Sequence, residues 1–179
     1  MFVSPLYDQT RLVLFQMAPG IPYGMQWVTV VVILILAATA LVDAFREIVP
    51  DVLICLGLSV VIAVIGFFGT WEESARHLLE AIAAGCVIWA INFAWFLKFR
   101  YDALGMGDAK WTMLAVACFG FGPSLLAWGI GSVLATIFIG SFRFFKGRLS
   151  QVSFAPFLFV GLGVGVYIVR FWYAMGGAE

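Results

Sequence analysis

The chain has 179 residues, of which 64% belong to the apolar set AVILMFWYC and only 11% are charged. Its mean hydropathy is +1.06, and its ten basic residues balance its ten acidic ones. Because soluble domains carry roughly 25% charged residues, a water-soluble fold is excluded and lipid must be the solvent for most of the chain. The zero net charge also excludes nucleic-acid binding through a basic face.

Six apolar runs in chain order predict an all-α polytopic membrane protein with about six transmembrane helices in a single bundle. Residues 1–25 contain three prolines and one short apolar run, so we expect an irregular or interfacial lead-in before a six-span domain at 26–179. The fourth run is short because two glycines and a proline follow it. The expected spans are 26–44, 51–69, 78–97, 109–121, 124–143 and 153–173.

The positions of the basic residues predict the orientation of these spans. Seven of the ten Lys and Arg residues fall in the connectors after spans one, three and five. The positive-inside rule puts these connectors in the cytoplasm and both termini outside. The glycine-marked stretch KFRYDALGMGDAK, at 98–110, is then cytoplasmic.

Histidine and cysteine usage gives no sign of a metal site. The three cysteines all lie inside apolar runs, which is typical of small apolar fillers in helices. His77 is the only histidine, so a multi-histidine metal site is excluded by counting. With Glu72, Glu73 and Arg76, it is expected in a solvated turn on the non-cytoplasmic side.

Two aspartates lie where a carboxylate is costly, at the ends of apolar spans. Asp43 is at the cytoplasmic end of span one, and it either faces the bundle or is a boundary charge facing headgroups. Asp108 ends the sequence G-M-G-D before span four, and it is either a functional carboxylate or an N-cap. Six alternating spans bring both to the same membrane boundary. If two carboxylates meet there, one holds a proton while the other stays a base, as in an aspartic protease.

Four neighbours are candidate substrate-binding or supporting residues. Gly105 and Gly107 lack side chains and would let a peptide approach the backbone closely. Lys110 either stabilises an ionised carboxylate or meets phospholipid headgroups. Asp51 either caps span two or supports the site. This chemistry requires neither a metal nor an organic cofactor.

Three motifs in order carry a resemblance to a known family. The segments D-A-F-R-E-I-V-P-D at 43–51 and G-M-G-D-A-K at 105–110 resemble the GxGD aspartic peptidases that process type IV prepilins. S-F-A-P-F-L at 153–158 resembles that family's PFGPFL-type segment, with Ala155 where glycine is usual. The resemblance runs from about residue 37 to residue 161 and implies that Asp43 and Asp108 are the catalytic dyad.

The resemblance also implies a substrate and a location. The substrate would be a type IV (Flp-type) prepilin or prepseudopilin, with a basic leader and an apolar helix, cut after the leader's glycine at the cytoplasmic face of the inner membrane. The chain is similar to the short TadV/CpaA group of Tad pilus systems. Larger members carry a cysteine-containing N-terminal region and methylate the mature pilin, so we expect no methyltransferase activity here.

Three other functions remain open at the level of sequence. An archaeal preflagellin peptidase resembles the same motif pair. A small proton- or cation-coupled transporter would use the two aspartates as an ion site, although it would favour carboxylates near the midplane. A non-catalytic assembly protein is the third.

Overall fold

The computed structural model describes four stretches of the chain, residues 26–46, 48–100, 105–146 and 153–176. Every regular element in these stretches is an α-helix, which confirms the predicted all-α fold class. The expected lead-in at 1–25 lies outside the described stretches. The six helices are α1 (Gln26–Arg46), α2 (Asp51–Phe68), α3 (Trp71–Phe99), α4 (Met106–Phe119), α5 (Phe121–Lys146) and α6 (Ala155–Gly176).

Five of the helices, all except α4, are long and apolar enough to cross a bilayer, so the chain is a multi-pass membrane protein. The predicted fourth span corresponds to α4, which has 14 residues. At 1.5 Å per residue it is about 21 Å long, less than the roughly 30 Å of a hydrocarbon core. It ends at Gly120, whose φ of 82° is left-handed, and α5 begins at the next residue.

The short helix α4 is the centre of the bundle. It contacts all five other helices, and its residues from Leu114 to Phe119 are all buried. Trp111, only 1% exposed, donates its indole N–H to the Leu36 carbonyl of α1 at 3.3 Å. A helix that is apolar all round is expected to be enclosed by others. Its neighbours therefore fix the position of the first turn of α4.

Helices α5 and α6 pack against each other through small residues. A Cβ on Gly161 would lie 2.5 Å from the Ala127 carbonyl oxygen, and one on Gly131 would lie 3.1 Å from the Phe157 carbonyl oxygen. Glycines at such positions let helix backbones approach closely in lipid. Helix α6 also packs on α1, so its first residues lie beside the end of α1 that carries Asp43.

The start of α3 corrects one expectation. The helix begins at Trp71, where the Thr70 hydroxyl accepts the Glu73 N–H at 3.1 Å and the Glu73 carboxylate accepts the Thr70 N–H at 3.3 Å. His77 is not in a solvated turn: it is buried, and its Nδ1 donates to the Ala117 carbonyl oxygen at 3.0 Å. The reason is helical spacing, since His77 lies on the stripe that continues through the buried Ala81.

Candidate active site

Asp43 faces the interior of the bundle. It is 8% exposed and lies one turn before the end of α1. It follows Val32, Leu36 and Ala40 at helical spacing, and all three are buried. Asp43 therefore does not face the lipid headgroups, because the helix face that carries it packs against α4 and α6.

Asp108 is also buried, at 6% exposure, and it lies in the first turn of α4. Gly105 is the N-cap, so Asp108 is not; its Oδ2 instead accepts the Gly105 N–H at 3.2 Å. The Thr112 hydroxyl donates to the Asp108 carbonyl oxygen at 2.7 Å. The carboxylate therefore closes the turn that holds it, and the turn and the first helical residues form one rigid unit.

The two aspartates interact electrostatically. Burial raises the pKa of Asp108 to about 7, and the negative charge of Asp43 acts in the same direction, while the Gly105 N–H opposes both. Asp108 lies in α4, which is not one of the five helices that are long and apolar enough to cross a bilayer. A buried carboxyl beside a like charge binds its proton more tightly. At and below neutral pH, one member of the pair can thus hold a proton while the other stays ionised.

A third side chain reaches this pair, and sequence reasoning missed it. Ser153, just before α6, donates its hydroxyl hydrogen to Asp43 Oδ2. The motif that contains Ser153 was recognised from the sequence, but no role was assigned to the serine. The sequence does offer one signal for this role: Ser153 lies in a connector that is predicted on the same side of the membrane as Asp43. The neighbouring Ala155, at the usual glycine position, is fully buried.

Lys110 and Asp51 pair with each other rather than with the two buried aspartates. Lys110 Nζ lies 2.6 Å from Asp51 Oδ1, and both side chains are substantially exposed. Pro50, and not Asp51, is the N-cap of α2, and it makes no side-chain capping bond. Surface pairs of this kind contribute about 0–1 kcal/mol to stability. The pair therefore forms an exposed rim at the same end of the bundle as Asp108.

The two glycines of the G-M-G-D turn differ in their surroundings. Gly105 is exposed, and a Cβ there would meet Asp108 Oδ2 only at 3.4 Å, an ordinary contact. At Gly107 a Cβ would lie 2.5 Å from Val49 Cγ2 and 3.0 Å from Val49 Cβ. The absence of a side chain at Gly107 thus serves packing against the α1–α2 connection within the protein itself.

An apolar cavity of about 220 Å³ opens beside the same helix. Its walls come from α3 and α5, which make little direct contact with each other within the described residues, and α4 forms its floor. Thr112 lies on that floor, one turn from Asp108, and accepts the Trp128 indole N–H at 3.0 Å. Val87 and Leu125 at its edge are more than half exposed.

The described residues contain no group of three or more His, Cys, Asp or Glu side chains placed to hold a metal ion. The three cysteines, all described, are free: Cys118 is buried, and Cys55 and Cys86 are exposed. Within the described stretches, the polar groups at one end of the bundle include the two buried aspartates, Ser153 and the exposed Lys110–Asp51 pair.

A sequence model of the type IV leader peptidase family matches residues 30–140 of this chain. The matched region is more than half of the chain and contains both buried aspartates, whereas Ser153 lies beyond it. No curated protein and no solved structure gives a significant match.

Proposed function

The chain belongs to the type IV leader peptidase family, and we propose that it is an intramembrane aspartic endopeptidase with Asp43 and Asp108 as its dyad. Its substrate in this proposal is an Flp-type prepilin or a prepseudopilin, cut after the glycine that ends the leader. The observation that carries the proposal is the burial of two carboxyl groups, on the separate helices α1 and α4, at 8% and 6% exposure. Each carboxyl also accepts one hydrogen bond, Asp43 from the Ser153 hydroxyl and Asp108 from the Gly105 N–H.

The chemistry is hydrolysis by one acid and one base. Asp43 takes a proton from a water molecule as the water oxygen attacks the scissile carbonyl carbon. Asp108 gives its proton to the carbonyl oxygen, which forms a neutral diol. Asp43 then passes its proton to the amide nitrogen as the C–N bond breaks, and a diol hydroxyl returns a proton to Asp108. The products are a carboxylic acid and an amine, and the dyad is restored.

The proposed site is at the cytoplasmic end of the bundle. The sequence argument for this side is the excess of Lys and Arg in the connectors that follow α1, α3 and α5. The exposed Lys110–Asp51 pair at the same end supports a position beside water and headgroups. A basic leader would remain in the cytoplasm, and the peptide bond that follows it would enter the site from the membrane edge.

The apolar cavity between α3 and α5 is the surface that we assign to the substrate's apolar segment. Its walls are apolar, Val87 and Leu125 at its open edge are more than half exposed, and its floor residue Thr112 is hydrogen-bonded to the Asp108 carbonyl. A volume of about 220 Å³ accommodates side chains of a docked helix rather than the helix itself. The apolar segment would then lie along α4, with the scissile bond at its first turn.

The test is leader cleavage in membranes, with a panel of substrates whose products are weighed by mass spectrometry. Asp43→Asn and Asp108→Asn should leave the precursor intact, whereas Glu72→Gln, an exposed carboxylate at the other end of the bundle, should cleave as the wild type does. Immunoblots establish that all variants accumulate. Cleavage of a preflagellin but of no prepilin would replace the proposed substrate, and proton-coupled uptake without cleavage would replace the proposed function.

A further inference from the structure

We infer that Trp128 of α5 is a positioning residue for both aspartates. It holds the first turn of α4, which carries Asp108, in place relative to the segment before α6, which is hydrogen-bonded to Asp43. The inference rests on the proposed function, and it names a side chain outside the dyad on which the rate of cleavage depends.

The first connection runs from Trp128 to Asp108 through two hydrogen bonds. The Trp128 indole N–H donates to the Thr112 hydroxyl oxygen at 3.0 Å, and that hydroxyl donates its own hydrogen to the Asp108 carbonyl oxygen at 2.7 Å. Thr112 is only 3% exposed, so little water competes for either bond. Because consecutive hydrogen bonds strengthen each other, the indole helps to fix the hydroxyl and, through it, the turn that carries the carboxyl group.

The second connection runs from the Trp128 ring to Asp43. The ring packs against that of Phe154, with the centroids 5.1 Å apart and the planes tilted by 53°, an arrangement that aromatic pairs favour. Ser153 precedes Phe154, and its hydroxyl is hydrogen-bonded to Asp43 Oδ2. On the other side, the Phe154 carbonyl accepts the Leu158 N–H at 3.2 Å, at the start of α6. A displacement of the Trp128 ring therefore displaces the segment that is bonded to Asp43.

The joint between α4 and α5 explains why a contact at this position matters. Helix α5 follows α4 after the single residue Gly120, whose φ of 82° is left-handed. Thr112 and Trp128 each lie about two turns from Gly120, on opposite sides of it. A bond between side chains at that distance sets the angle between the two helices. It thereby sets how α5 and the Phe154 segment packed on it lie relative to the first turn of α4.

Other contacts also join these segments, so loss of the Trp128 bond should lower activity rather than abolish it. The buried Trp111 donates to the Leu36 carbonyl of α1, and Gly107 packs on Val49. Trp128 differs from Trp111 because it is only partly buried and lines the apolar cavity. Replacing its indole by a phenyl ring removes the N–H at the edge of an existing cavity, so an effect on rate can be separated from an effect on folding.

The test measures kcat and KM for leader cleavage by Trp128→Phe in proteoliposomes, with Trp172→Phe as the matched control. Trp172 is 76% exposed near the opposite end of α6, so the same chemical change there should leave both constants unaltered. We expect kcat of Trp128→Phe to fall about tenfold, the equivalent of one hydrogen bond, with KM changed by less than about threefold because an aromatic ring remains. A wild-type kcat in Trp128→Phe, or a rise in KM alone, overturns the inference.

A second set of variants tests whether Trp128 acts through Thr112. Thr112→Val removes the hydroxyl and should lower kcat at least as much as Trp128→Phe does, whereas Thr112→Ser keeps the hydroxyl and should cleave as the wild type does. The double variant Trp128→Phe/Thr112→Val should be no slower than Thr112→Val alone, because both changes remove the same bond. Losses that multiply overturn the inference. Where Trp128→Phe accumulates poorly, equal rates for the Ser and Val variants overturn it.

These outcomes are distinct from failure of the proposed function. If the wild type cleaves a prepilin and Asp43→Asn does not, an unchanged rate in Trp128→Phe removes the role of Trp128 alone. If the wild type cleaves no prepilin, the proposed function fails, and the inference fails with it.

Discussion

Gly107 lies directly against Val49, so closely that a Cβ on Gly107 would approach Val49 Cγ2 to 2.5 Å. Val49 is 7% exposed and belongs to the connection that follows the Asp43-bearing helix, while Gly107 precedes Asp108. This contact therefore ties together the two segments that carry the aspartates. We therefore expect a side chain at Gly107 to change the position of Asp108 relative to the segment that follows Asp43.

Gly107→Ala should reduce cleavage because the added methyl group pushes the first turn of α4 away from Val49. We expect at least a tenfold loss, since displacement of a reacting group by about 1 Å can cost about a hundredfold in rate. Gly122→Ala is the matched control, because a Cβ there meets nothing within 4 Å. Adding Val49→Ala should recover part of the loss; equal activity of the single and double variants would contradict this explanation.

The raised pKa of Asp108 predicts how activity and stability depend on pH. The dyad needs a proton on Asp108, so the cleavage rate should fall as the pH rises through about 7. The folded state binds this proton between pH of about 4 and 7, where the unfolded chain has lost it, so stability should also fall across that window as pH rises. Thermal unfolding in detergent should lose this dependence in Asp108→Asn. An identical dependence in the variant would contradict the assigned pKa.

Leu125→Trp should interfere with the substrate's apolar segment. Leu125 is 60% exposed at the edge of the cavity, so a larger side chain fits without disturbing the core and occupies the cavity mouth. We expect KM to rise about tenfold with kcat little changed, because binding is weakened without touching the dyad. Val133→Trp, on the same helix at 59% exposure and away from the cavity, is the control. Equal KM values for the two variants would contradict the assigned docking surface.

Much of the fold follows from the apolar runs. The runs predict six helices with their order, and the inward position of Asp43 follows from the buried stripe through Leu36 and Ala40. The burial of His77 could have been found by the same spacing, but the charges beside it suggested a solvated turn. The central position of α4 is harder to predict from the sequence, because hydropathy does not distinguish a helix enclosed by protein from one enclosed by lipid.

The site was predictable only in part. Two aspartates at one membrane boundary can be found from topology, whereas the Ser153 bond to Asp43 joins residues 110 positions apart. That contact depends on how α6 packs against α1, and α6 also packs closely on α5 at Gly161. The role of Gly107 was likewise hidden, because its neighbour Val49 lies in another connection. Contacts of this kind are set by three-dimensional packing rather than by local pattern.

The central claim is that Asp43 and Asp108 act as one catalytic unit, and single-turnover cleavage of a prepilin fragment in proteoliposomes tests it most directly. Asp43→Asn, Asp108→Asn and the double variant should each lose activity by about a thousandfold or more, with the double variant no slower than either single one, because residues that act as a unit are not additive. Substantial cleavage by either single variant, or independent losses that multiply in the double variant, would contradict the account.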